Sequence, residues 1–81
     1  MAKFKFSMGE KEAILEFKKA INGKIGIMKD NGAELAVGGP GVTVKVKFRN
    51  GVVETSASLF GKAILGTVDT AIELINGFEK I

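Results

Sequence analysis

Residues 42–56 read Val-Thr-Val-Lys-Val-Lys-Phe-Arg-Asn-Gly-Val-Val-Glu-Thr-Ser, and this stretch decides the fold class. Val42, Val44, Val46 and Phe48 alternate with Thr43, Lys45, Lys47 and Arg49. A period of two places one set on each face of a β-strand, so one face is apolar and the other basic. Asn50-Gly51 is the favoured pair for a tight type I′ turn, whose twist matches that of the strands it joins. Such a turn sets Lys47 opposite Glu54 and Phe48 opposite Val53, and predicts a second strand over Val52 to about Ser56.

Upstream, Gly38-Gly39-Pro40-Gly41 reads as a loop between strands. Before it, Lys24–Lys29 puts Ile25 and Ile27 on one face, Asp30-Asn31-Gly32 signals a turn, and Ala33, Leu35 and Val37 return as the other arm of a hairpin. At the start of the chain, Lys3-Phe4-Lys5-Phe6 alternates charge with aromatic and predicts a short edge strand that buries both Phe side chains.

Two segments carry the helical period instead. Ser7-Met8-Gly9-Glu10 fits the capping box, in which a Ser hydroxyl and a Glu carboxylate each satisfy a free amide at a helix start. The predicted helix runs from about Met8 to Asn22, with Ala13, Ile14, Phe17, Ala20 and Ile21 on one face and Gly23 as a left-handed cap. Leu15 falls on the charged side, off this apolar face. A second helix is predicted from a cap at Ser56 or Ser58 towards Lys80, with Gly66 inside it and Gly77 near its end. Its core stripe comprises Phe60, Ile64, Val68, Ala71, Ile75 and Phe78, widened by Leu65 and Ile72 on one side and Ala63 and Leu74 on the other. That stripe spans roughly 200° and calls for two neighbours, against the ~100° that one surface covers. Ala63, Thr67 and Ala71, four residues apart, form a ridge low enough for another backbone to approach.

The expected fold is therefore a single α+β domain over residues 1–81. It has two layers, an antiparallel sheet of four to five short strands with both helices on one face, in the order β-α-β-β-β-β-α.

Composition bounds what such a domain does. With 46% hydrophobic and 26% charged residues the chain has the balance of a folded protein. At 81 residues it buries only about 60–65% of the surface its unfolded form exposes, so packing against a partner is a ready source of extra stability. It contains no cysteine and no histidine. Disulfides, thiolate nucleophiles and the commonest general base and metal ligand are absent with them. The reading is non-enzymatic, with no catalytic residues, no metal and no cofactor.

The glycine cluster at Gly38–Gly41 leads into a strand, whereas a phosphate-binding loop leads into a helix N-terminus. Asp69 and Glu73 are spaced to meet on a helix, but without a third ligand they read as a solvated surface pair. The longest apolar region, Leu59–Ile75, is broken by Lys62, Asp69 and Glu73, so no membrane span is expected, and with no apolar leader near the N-terminus a cytoplasmic location is.

Two surfaces remain. The expected function is an interaction or assembly module, self-associating through the apolar terminal helix or binding a protein partner, with Leu15, Ala63, Thr67 and Ala71 as contact residues. The alternative is binding of nucleic acid or another polyanion through a basic sheet face made by Lys3, Lys5, Lys45, Lys47 and Arg49, in line with the net charge of +3. Base stacking on that face is not expected, because the chain has no Tyr or Trp and all six Phe fall at expected core positions.

Overall fold

A computed structural model describes residues 2–81. The elements follow the order β1 (Ala2–Phe6), α1 (Glu10–Ile21), β2 (Ile27–Asp30), β3 (Glu34–Gly39), β4 (Val42–Arg49), β5 (Val52–Ala57), α2 (Lys62–Glu73) and β6 (Phe78–Lys80). The strands form one antiparallel sheet in the order β2-β3-β4-β5-β1-β6, and both helices contribute to the core on one of its faces. The two-layer α+β class holds, with six strands in place of four to five.

The hairpin of β4 and β5 forms in the register set by its turn. Asn50 and Gly51 both have positive φ, 51° and 78°, as a type I′ turn requires. Lys47 lies opposite Glu54 and Phe48 opposite Val53. Val44, Val46 and Phe48 are buried while Lys45, Lys47 and Arg49 are exposed.

The chain enters this hairpin's sheet through two crossovers. β1 and β2 run in the same direction and are joined by α1; β5 and β6 do likewise through α2. The two crossovers start from oppositely directed strands and travel in opposite directions across the sheet. Crossovers of one hand therefore place both helices on the same face.

Three local expectations are corrected. First, β1 is not an edge: it pairs with β5 on one side and β6 on the other, leaving β2 and β6 as the edges. Secondly, α2 stops at Glu73 and the chain returns as β6, where Phe78 packs its ring 5.6 Å from that of Phe6. Gly77, at φ +92°, makes that reversal possible. Ile75-Asn76-Gly77-Phe78 keeps helical spacing in its apolar residues, and three residues are too few for a strand to show its own period. Thirdly, Ser7 does not cap α1, whose N-cap is Gly9. The Ser7 amide and hydroxyl instead donate to the Gly77 carbonyl, at 3.1 and 3.5 Å, tying the start of α1 to the start of β6.

The core is centred on aromatic contacts. The Phe48 ring lies 6.0 Å from Phe6 and 5.9 Å, edge to face, from Phe17 of α1, joining the sheet to the helix layer. Phe60 departs from its expected core position: it is 67% exposed in the turn before α2. That turn is built by Ser58, whose Oγ accepts from the Gly61 amide at 3.0 Å and the Thr43 amide at 3.2 Å. The helix can begin only after it, at Lys62.

Gly38-Gly39-Pro40-Gly41 is the reversal between β3 and β4, with Gly39 paired to Val42 and Gly41 at φ +77°. A side chain at Gly38 would start 2.1 Å from the Val42 carbonyl oxygen and 2.8 Å from Cδ1 of Ile64, so this glycine lets α2 settle onto the hairpin.

Candidate interaction surfaces

The face of the sheet away from the helices carries all five cations expected there, together with carboxylates. Register lines up Glu34, Lys47, Glu54 and Lys3 across β3, β4, β5 and β1, so charge alternates in sign along the row. The Lys3 ammonium is 3.7 Å from Glu54, that of Lys47 is 3.9 Å from Glu34, and that of Lys5 is 3.4 Å from Glu79 on β6. All three pairs are well exposed, and such contacts contribute about 0–1 kcal/mol each. Their larger effect is on the field. Three of the five cations have a carboxylate beside them, and the potential above the face is correspondingly reduced.

Lys45 and Arg49 differ. Lys45 lies between Ala36 and Ser56, and Arg49 lies opposite Val52. Among the described residues neither forms an ion pair. Glu79 escaped the sequence reading because it lies on β6, which that reading placed in the second helix, and Glu34 because the Gly38–Gly41 loop fixed no register between β3 and β4. The Lys47–Glu54 register was the one visible signal.

The second surface lies on α2. Val68, Ala71 and Ile72 face the core, with Ile64 and Leu65 packed beside them. The opposite side presents Ala63, Gly66, Thr67 and Thr70 to solvent. These residues and Leu74 form one wall of a shallow groove whose other wall is Ile21, Lys24 and Ile25. Leu74, 80% exposed, lies in that wall, and Leu59 and Phe60, 76% and 67% exposed, lie in the turn ahead of α2.

Of the contact residues expected from sequence, Ala63 and Thr67 lie on this outer face, Ala71 is only 9% exposed and belongs to the core, and Leu15 is 56% exposed on α1. Gly66, Thr70 and Leu74 join the face, with Leu59 and Phe60 exposed in the turn ahead of it. They were missed because the long-helix reading put Phe60 and Leu74 inside the core stripe.

Asp69 also departs from its expected solvated position. It turns towards the sheet, where its Oδ1 accepts a 2.7 Å hydrogen bond from the Thr55 hydroxyl, and Thr55 is fully buried. At the β2 edge of the sheet Lys18 of α1 is hydrogen bonded to Asp30. That contact, with the Gly32 amide bonded to the same carboxylate, holds Asp30 below the ordinary value of 3.8.

Among the described residues no group of three or more acidic ligands is arranged to hold a metal ion. Nor, among them, is any helix long and apolar enough to cross a membrane.

No protein-family model, curated protein or solved structure matches the chain. Its two surfaces therefore stand on their own chemistry: a charge-alternating sheet face, and a helix face of small side chains with a large exposed apolar residue at each end.

Proposed function

We propose that this chain is a non-enzymatic assembly module that self-associates through the outer face of α2. The observation that carries this reading is the pairing of small and large on one surface. Ala63, Gly66, Thr67 and Thr70 leave room for a close neighbour, while Phe60 and Leu74 keep 67% and 80% of their area in water. Burying such side chains is worth about 1.5–3 kcal/mol each. A small domain with one modest core gains from that burial.

The test is solution mass measured against concentration by light scattering. A mass rising from 8.6 kDa towards twice that value, and returned to 8.6 kDa by Thr67→Glu, supports the reading. Leu15→Glu shows whether the contact extends onto α1. A wild-type chain that stays at 8.6 kDa up to millimolar concentration overturns it.

Polyanion binding is the second reading. It is favoured by one observation, the sheet-face cations that have no carboxylate partner among the described residues: Lys45 and Arg49, joined by Lys29, which lies opposite Ala36 on the same face.

A further inference from the structure

We infer that the partner of α2 is a second copy of this chain packed antiparallel about a two-fold axis close to Thr67, with Lys62 of each copy against Glu73 of the other; this rests on the assembly reading above. A two-fold contact is self-complementary, so every residue on it must meet a suitable residue of the same face. On an antiparallel helix pair centred near Thr67, positions at nearly equal distances on either side of the centre come together. Lys62 and Glu73, the first and last residues of α2, are both exposed. They lie on the same flank of the outer face at helical spacing, so the antiparallel arrangement brings opposite charges together at both ends.

The same operation brings Phe60 of one copy to Leu74 of the other. Phe60 sits one turn ahead of the helix, its carbonyl accepting from the Ala63 amide at 3.2 Å. Between these ends, Thr67 lies against Thr67 of the other copy and Ala63, Gly66 and Thr70 surround it, small against small, as a close helix pair requires. A parallel two-fold pair would instead leave the Lys62 and Glu73 flanks of the two copies on opposite sides of the contact, so that neither charge meets its opposite.

The contact is short. A helix of 12 residues is about 18 Å long, which places the interface at the small end of the range, below roughly 1,200 Å². Association is thus weak and concentration-dependent, and charge at its ends has a measurable effect.

Because the chain has no cysteine, a single introduced one reports unambiguously. Thr67→Cys is expected to give a disulfide-linked dimer under mild oxidation, while Ser56→Cys on the sheet face stays monomeric under the same conditions. Lys62→Glu and Glu73→Lys should each weaken association, by about five- to tenfold. The Lys62→Glu/Glu73→Lys double variant should recover it. These positions are exposed, and circular dichroism checks that each variant folds.

A dimer that Thr67→Cys does not cross-link and that the double charge swap does not restore overturns the antiparallel pairing and leaves the assembly reading standing. A wild-type chain that remains monomeric, with a foreign apolar helix as the only occupant of the face, overturns both.

Discussion

The hydroxyl of Thr55, fully buried on β5, donates a 2.7 Å hydrogen bond to the carboxylate of Asp69 on α2. The bond links the helix layer to the sheet at the one buried polar side chain among the described residues. An unpartnered buried hydroxyl costs about 1–3 kcal/mol, whereas removing both partners together is nearly neutral. Asp69→Ala is therefore expected to destabilise by about that amount in urea unfolding. Adding Thr55→Val should restore most of the loss. A double variant as unstable as the sum of its parts would mean that the two groups are energetically independent.

Two glycines, one capping α2 and one within it, should respond in opposite ways. At Gly61 an added Cβ would lie 2.1 Å from the Thr43 carbonyl oxygen, so Gly61→Ala must push β4 and the head of α2 apart. At Gly66, within α2, an added Cβ meets nothing within 4 Å. Gly66→Ala should stabilise by about 0.5–1 kcal/mol through helix propensity and reduced unfolded-state freedom. For a domain of this size that is a rise in Tm of roughly 2–8 °C, against a clear fall for Gly61→Ala; calorimetry on dilute protein separates the two.

Acid should weaken the tie between α1 and the edge strand β2. The Asp30 pKa is lowered in the fold by its hydrogen bond to Lys18, then by the Gly32 amide. A lowered carboxylate contributes stability that is present above its unfolded value and is lost as pH falls through the folded one. Stability should decline below the ordinary value of 3.8, and Lys18→Met should flatten that part of the pH profile. Exposure on both sides makes the effect small, so it is best read as a difference in urea midpoint between wild type and variant at pH 3 and at pH 6.

Binding of polyanions, where it occurs, should depend weakly on salt. With Lys29, Lys45 and Arg49 as the sheet-face cations that form no ion pair among the described residues, the slope of log K against log salt should be near −3 on duplex DNA, from about −0.9 per phosphate neutralised. A slope of roughly −4 or steeper would mean that Lys3, Lys5 and Lys47 leave their carboxylates for phosphates. Lys45→Glu with Arg49→Glu should abolish retention on a DNA column at low salt.

What was legible in the sequence was local. Val42–Arg49 alternates because neighbouring residues of a strand face opposite ways, and Asn50-Gly51 fixes its own turn, so the hairpin and its register followed from adjacent residues alone. The helix periods of α1 and of the middle of α2, the exposure of Leu15 and the cations of the open face followed on the same grounds. Tertiary structure decided whatever depended on a distant partner. Ser7 lost its capping role because the Gly77 carbonyl, seventy residues away, was within reach. Phe78 became strand because β1 offered an open edge beside Phe6. Asp69 turned inward to Thr55, and the basic face was partly neutralised by Glu34 and Glu79 from other strands. Composition likewise set the absence of histidine and cysteine, but only the packing of α2 determined which large apolar residues flanking it remain in water: Leu59 and Phe60 ahead of it and Leu74 after it, with Phe60 and Leu74 the pair on which the proposed assembly turns.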